Sequence, residues 1–236
     1  LSIGLGQMCH AIRRNQRMLY VLENNGVYGL TKGQFSASSD VGSKSKRGEP
    51  NLMEPIDPAS LALSIGASFV ARSFSGDKEQ LVPILKAALS HKGFALVDVI
   101  SPCVTFNDHK GSTKSYVYAR QHAMRATQAD FVPPQHEILA AIGTNGATAV
   151  TMHDGSVIYF KQVPKGYDPT DRASVMRFLD EHRASKQIVT GLLYVDPNSS
   201  DLHDLRKTSE TPLRELPYET LCPGNEALQA LQEEYR

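Results

Sequence analysis

The sequence predicts an α/β fold in which a parallel sheet carries helices on both faces, followed by a C-terminal α+β extension. Segments of helical and strand character alternate from residue 3 to residue 100, the order that builds parallel βα units. The run Met18-Leu19-Tyr20-Val21-Leu22 is continuously apolar and of strand length, as expected for a buried parallel strand. Behind it stands the loop ENNGVYGLTKGQ, residues 23–34, at the C-terminal end of the predicted strand, where open α/β sheets collect their ligands.

Residues 3–15 place Ile3, Leu5, Met8, Ala11 and Ile12 at helical spacing, and Asn15 is suited to end that helix. Residues 35–57 are rich in Ser, Gly, Pro and Lys and have no period. They predict a long mobile loop, of a length that usually belongs to a binding loop or lid. A short helix over 58–65 follows from Asp57 as N-cap and Pro58 in the first turn. Strands are predicted at 68–73 and 94–100, on either side of a helix at 77–91 whose Pro83 predicts a kink or a late start. Beyond Cys103 the predicted order is a polar loop, a helix over 115–128, and two strands within 147–163 turning at Asp154-Gly155. A helix at 171–185, a strand at 190–195 and a final helix at 225–235 complete the chain.

Composition narrows the function. The 236 residues carry 25 basic and 25 acidic side chains, and this neutrality argues against nucleic acid or an anionic membrane as the main partner. Size scaling gives a folded surface of roughly 10,000 Å² against roughly 37,000 Å² unfolded, enough burial for a sizeable core. No apolar run approaches the ~20 residues of a membrane span and no signal peptide opens the chain, so a cytoplasmic protein is expected. Cys9, Cys103 and Cys222 lie far apart and form no CxxC pair, which argues against a disulfide framework or a self-contained zinc site. The histidines form no HxxxH-type pair, and His109 beside Asp108 reads as a solvated loop residue.

The loop at 23–34 admits two readings. Asn24 and Asn25 offer neutral oxygens, and Gly26, Gly29 and Gly33 let the backbone approach a ligand closely. Such a loop can give a metal one amide oxygen and one backbone carbonyl, although it holds no carboxylate after Glu23 and the nearest downstream is Asp40. Mg²⁺ takes about six oxygens, commonly from one or two carboxylates plus substrate phosphates. Equally, NNG makes an ordinary turn whose asparagines tolerate a left-handed backbone.

Taken together, NNGVYGLTKGQ (24–34) and SPCVTFND (101–108) resemble the thiamine-diphosphate-binding β subunit of 2-oxoacid:ferredoxin oxidoreductases, most closely its 2-oxoglutarate branch. TGLLYVDP (190–197) and TPLRELPYETLCPGNEAL (211–228) are similar to that branch's tail. The resemblance implies a thiamine-diphosphate-binding fold, with residues 1–107 as the C-terminal part of the cofactor domain and residues 108–236 as the β-subunit extension. It also implies a longer subunit. The family's Mg-diphosphate motif opens with GDG and closes with NN; Asn24-Asn25 is the closing half, and the opening half would fall before Leu1.

On that pattern Asn25 gives Mg²⁺ its side-chain oxygen and Val27 its backbone carbonyl, while Gly29 and Leu30 touch the thiamine diphosphate. Leu30 and Lys32 face the 2-oxoacid, where a lysine suits the distal carboxylate of 2-oxoglutarate. The helix at 3–15 would turn its N-terminus to the diphosphate. Cys103, which alone reads as a small buried hydrophobe, becomes one of the four thiolates of a 4Fe-4S cluster. Cys9 and Cys222 gain no such role and read as structural.

The activity so implied is oxidative decarboxylation of a 2-oxoacid to an acyl-CoA, with electrons leaving through the cluster to ferredoxin. The partners are the α subunit, which supplies the glutamate that activates the cofactor, together with ferredoxin, coenzyme A and the 2-oxoacid; no residue here is expected to act as general base. Lys44, Lys46 and Arg47 read as solvated basic side chains, with the phosphates of coenzyme A as a second use. Two alternatives stay open. One is a β subunit acting on pyruvate or a branched 2-oxoacid, because Leu30 and Lys32 alone do not fix chain length. The other is a non-catalytic phosphate-binding module.

Overall fold

The computed structural model describes residues 2–132, 148–151, 157–161, 164 and 167–235. The chain divides into two compact units, residues 1–202 and 203–236. The strands of the first unit are β1 (Met18–Asn24), β2 (Val27–Tyr28), β3 (Gln34–Phe35), β4 (Phe69–Phe74), β5 (Phe94–Ile100), β6 (Ala123–Arg125), β7 (Gln128–Val132), β8 (Thr148–Thr151), β9 (Val157–Lys161) and β10 (Ile188–Val195). Its helices are α1 (Leu5–Arg13), α2 (Pro58–Ser64), α3 (Lys78–Ser90), α4 (Tyr116–His122) and α5 (Arg172–Ala184).

The central sheet has the order β1-β5-β4-β10-β6. β1, β5 and β4 run parallel, as expected, whereas β10 pairs antiparallel with β4 and β6 pairs parallel with β10. The sheet is therefore mixed, an antiparallel strand joined to a parallel set. Alternation along the strands loads both faces. Val70, Leu96, Val189 and Leu193 pack with Met8 and Ile12 of α1, Ala62 and Leu63 of α2, and Val175 and Leu179 of α5. Phe69, Ala71, Ala95, Val97 and Leu192 pack against Ile84, Ala87 and Ala88 of α3 on the opposite face. A register shift between Leu192 and Tyr194 puts Leu193 and Tyr194 in the same cluster.

Several expectations need correction. The apolar run of β1 is not buried in mid-sheet: among the described residues β1 pairs only with β5, so Val21 is 46% exposed and the strand is an edge. α3 starts at Lys78 and continues through Pro83, without a late start. Asp77 fixes the start by accepting from the Gln80 amide at 3.2 Å, and the burial of Ile84, Ala87 and Ala88 outweighs the hydrogen bond that Pro83 removes. The helix predicted over 115–128 stops at His122. There β6 adds to β10, the Ala126 amide donates to Thr190 O at 2.8 Å, and Thr127 Oγ1 donates to Leu192 O at 2.8 Å. Sheet pairing overrides a weak helical pattern.

The segment 35–57 is held rather than loose. The buried Asn51 side chain donates to the carbonyls of Ser39, Asp40 and Met53, and backbone bonds join Gly42 to Asn51 O and Asn51 to Ser43 O. Its polar composition reflects internal hydrogen bonding, and the Ile56 amide closes the segment back onto Ala37 O at 2.7 Å. Asn15 ends α1 as expected, in a left-handed conformation (φ 45°), and its side-chain oxygen accepts from the Phe94 amide. Asp57 caps α2 through the Ala59 amide. β7, β9 and β8 form an antiparallel sheet that contains both predicted hairpin strands, while the turn at Asp154-Gly155 lies outside the described residues.

In the second unit α7 (Tyr218–Leu221) and α8 (Asn225–Glu234) contain no buried residue, and α6 (Leu202–Arg206) leads into it. Cys222 is exposed there, so packing is not its role, and Cys9 is half-buried on α1. Among the described residues no helix is long and apolar enough to cross a membrane.

Candidate functional site

Parallel neighbours send their following loops out from the same end of a sheet, and β1 and β5 do so here. Asn24 is in register with Ile100, and the Ser101 amide donates to Asn24 O at 3.1 Å. The NNGVYGLTKGQ and SPCVTFND segments, far apart in sequence, therefore leave the sheet side by side.

The first segment folds into the β2/β3 hairpin. Gly26 adopts φ +71°, and its carbonyl accepts from the Ser36 amide at 3.0 Å, while Tyr28 O accepts from Gly33 N at 3.0 Å. Val27, opposite Phe35, lies between those bonded positions, so its N–H and C=O point away from β3. The Val27 amide donates to Asn25 Oδ1 at 3.0 Å, which orients that oxygen and leaves it a second lone pair. Asn25 and Val27 thus offer two neutral oxygens, a donor type that a hard cation accepts.

The second segment packs directly against the first. Asn107 Nδ2 donates to Asn25 O at 2.7 Å. A Cβ on Gly26 would stand 3.0 Å from both Asn107 Nδ2 and Lys114 Cγ, and one on Gly29 would stand 3.9 Å from Cys103 Sγ. Asn25, Val27, Gly29 and Cys103 are therefore brought together. The Leu30 and Lys32 side chains are not: they stand at the hairpin tip, where Leu30 is 99% exposed and Lys32, held left-handed at φ +75° with its amide donating to Gly29 O at 3.1 Å, turns an exposed side chain outward. At the far side of the hairpin Ser2 Oγ and Tyr28 OH are 2.6 Å apart, which sets the turn ahead of α1 beside it.

Beneath the loop runs a buried charge network that sequence reasoning missed. Asn24 Nδ2 donates to Asp98 Oδ1 at 3.0 Å, and Arg72 Nε donates to Asp98 Oδ2 at 2.8 Å. Arg72 also pairs with Asp57, which accepts from Arg183 Nη2 at 2.9 Å and Ser60 Oγ at 2.7 Å. Ser38 Oγ donates to Asn24 Oδ1 at 2.7 Å, so the chain of contacts reaches the loop after β3. Burial alone would raise the Asp57 carboxyl, but Arg72, Ser60 and Arg183 hold it well below the usual carboxylate range. Burial would lower Arg72, and Asp57 and Asp98 hold it above its ordinary value. The adjoining crevice is lined by Asp40, Asp57 and Asp98 and by Arg72, Lys114 and Arg183. These charges balance, and Lys114 Nζ lies 3.0 Å from Asp40 Oδ2, so the crevice is a paired structural interior rather than an ion site. The missed signal was an Arg and an Asp standing inside otherwise apolar strands.

His109 is half-buried rather than solvated; its Nδ1 lies 3.2 Å from Lys110 O and its Nε2 is buried without a partner among the described residues. Lys44, Lys46 and Arg47 are exposed, and Lys46 Nζ stands 5.6 Å from the centre of the Phe106 ring. Among the described residues no cluster of three or more His, Cys, Asp or Glu forms a ready metal site. The chain's own donors at the candidate site are neutral oxygens and one thiol.

Residues 1–99 match the thiamine pyrophosphate enzyme family, C-terminal TPP binding domain. The 2-oxoacid:ferredoxin oxidoreductase subunit beta of Saccharolobus solfataricus is 44% identical over 125 residues, covering 52% of this chain and 40% of that protein. The 2-oxoglutarate oxidoreductase subunit KorB of Mycobacterium tuberculosis is 44% identical over 109 residues, covering 46% of this chain and 29% of that protein. A solved structure of 2-oxoglutarate:ferredoxin oxidoreductase from Magnetococcus marinus, with 2-oxoglutarate, coenzyme A and succinyl-CoA bound, superimposes with a TM-score of 0.63 at 28% identity, covering 87% of this chain and 56% of that one. The chain thus spans less than half the length of these curated relatives.

Proposed function

We propose that this chain, a relative of 2-oxoacid:ferredoxin oxidoreductase β subunits with a thiamine pyrophosphate-binding domain over residues 1–99, forms the part of such a subunit that holds Mg-thiamine diphosphate beside a 4Fe-4S cluster. The observation that carries this reading is the packing of the Asn25–Gly29 loop against the Cys103–Asn107 turn. A metal-diphosphate grip and a thiolate ligand side by side suit a reaction whose electrons leave through iron and sulfur.

Asn25 Oδ1 and the Val27 carbonyl would hold Mg²⁺, Gly29 and Leu30 would line the thiamine diphosphate, and Cys103 would ligate the cluster. A carboxylate for the metal and further thiolates would come from elsewhere in the subunit. Thiamine diphosphate, when bound, supplies the means of stabilising the charge left when a 2-oxoacid loses CO₂. The chain's part is binding and orientation. Gly26, with no side chain, lets Asn107 and Lys114 close on the loop from behind, which fixes the Asn25 carbonyl. Lys32 at the hairpin tip supplies a cation for the distal carboxylate of the substrate, and Leu30 supplies apolar surface that excludes water. The substrate is 2-oxoglutarate, a choice supported by the 2-oxoglutarate names and bound molecules of the similar proteins. The working enzyme is a cytoplasmic heteromer with an α subunit that passes electrons to ferredoxin and the acyl group to coenzyme A.

The test is coenzyme A-dependent reduction of ferredoxin by the full-length subunit assembled with its α subunit. Faster turnover of 2-oxoglutarate than of pyruvate or a branched 2-oxoacid is expected, and the reverse order overturns the substrate. Cofactor binding with no turnover of any 2-oxoacid leaves a non-catalytic phosphate-binding module. Lys32→Met is expected to raise KM for 2-oxoglutarate about tenfold or more while leaving KM for pyruvate nearly unchanged, since a hydrogen bond to a charged group contributes roughly 1.5–3 kcal/mol.

A further inference from the structure

We infer that Asn107 is a positioning residue that couples the two halves of this site, so that metal-diphosphate binding at Asn25 and cluster ligation at Cys103 are energetically linked. The inference rests on the proposed function and goes further by naming the connection. Asn107 is 1% exposed. Its backbone N–H donates to Cys103 O at 2.8 Å, and its side-chain Nδ2 donates to Asn25 O at 2.7 Å. A single residue therefore spans from the main chain of the thiol-bearing residue to the main chain of the residue whose amide oxygen would face the metal.

The surroundings make this link stiff. Ser112 Oγ donates to Asn107 O at 3.0 Å, and the bare Cα of Gly26 leaves the space that Asn107 Nδ2 occupies, 3.0 Å from where a Cβ would stand. On the opposite side of Asn25, Asn24 is fixed to the sheet by Asp98 and to the following loop by Ser38. Asn25 is thus held between an anchor in the sheet and an anchor on the Cys103 turn. A shift of that turn on ligation reaches the Asn25 oxygen through Asn107, because close-packed interiors transmit displacement rather than absorb it.

The experiment uses the full-length subunit with its α subunit, kept anaerobic. Calorimetry measures Mg-thiamine diphosphate affinity with the cluster present and after its removal, and electron paramagnetic resonance of the reduced cluster is recorded with and without Mg-thiamine diphosphate. In the wild type, cluster removal is expected to weaken binding about tenfold, the scale of one buried hydrogen bond, and cofactor addition is expected to shift the cluster spectrum. Asn107→Ala is expected to lose both effects at full iron content, and Asn107→Asp, of the same size but unable to donate, to lose them equally. Lys110→Ala, an exposed change in the same loop, should keep them. A wild type in which cluster and cofactor ignore each other overturns the inference whatever the variants do, as does an Asn107 variant that retains the linkage. A wild type that binds neither group overturns the functional reading together with it.

Discussion

Asp98 shows how a single buried charge decides the local order. It has no exposed surface, it stands opposite Arg72 in the β4/β5 register, and its two oxygens accept from Asn24 and Arg72. Asp57 still answers the Arg72 charge when Asp98 is removed, but Arg72 Nε and Asn24 Nδ2 are left buried without their acceptor, so Asp98→Leu should cost about 2–5 kcal/mol in chemical denaturation, and Asp98→Asn less. Pairing Asp98→Leu with Arg72→Met should cost less than the sum of the single changes, because the double variant leaves no buried Arg72 Nε without an acceptor. Additive losses would mean that the pair is incidental. At this scale the sequence was half informative. Asn25, Val27 and Cys103 were named from the family pattern rather than from their types, and the fold sets their segments side by side; Asn107 was not named, since its contact exists only once Asn25 is beside it. Asp98 and Arg72 were visible as misfits in apolar strands, and only the register showed that they answer each other.

Among the elements, α2 depends on a residue that serves two purposes. Asp57 caps the helix at the Ala59 amide and also binds Arg72 of β4 and Arg183 of α5, so one carboxylate ties three elements together. Its folded pKa lies below the ordinary value of 3.8, so its contribution to stability is fully present above that value and is lost as pH falls below it. Asp57→Asn should therefore lower stability at pH 7 and flatten the loss of stability on acidification relative to the wild type. A variant whose acid unfolding curve simply parallels the wild type would remove Asp57 from this role. The alternating helices and strands up to Ile100 were legible because apolar periodicity records which face is buried. Where long-range pairing sets the conformation, as in β6 against β10, local pattern gave the wrong element. The loop 35–57 failed for the opposite reason: its order comes from Asn51 and backbone bonds, which leave no hydrophobic period.

For the whole molecule, the decisive quantity is how many ligands this stretch of chain can bring to each group. At the candidate site it offers Asn25 Oδ1, the Val27 carbonyl and the Cys103 thiol, and no cluster of His, Cys, Asp or Glu adds to them among the described residues. A 4Fe-4S cluster takes four thiolates, and Mg²⁺ bound with a diphosphate takes one or two carboxylates in addition to neutral oxygens. The family pattern gives Cys9 and Cys222 no such role. The 236 residues expressed alone should therefore retain no iron and bind Mg-thiamine diphosphate more weakly than the full-length subunit by well over tenfold, the effect of losing even one charged ligand contact. Iron analysis and calorimetry on the two proteins side by side measure this. The fold itself should survive, because both faces of the central sheet carry buried clusters within residues 1–202, so circular dichroism should show cooperative melting in the same protein that fails to load. A brown, iron-containing preparation of these residues alone, or micromolar affinity for the cofactor, would place the missing ligands inside this chain and refute the division of labour.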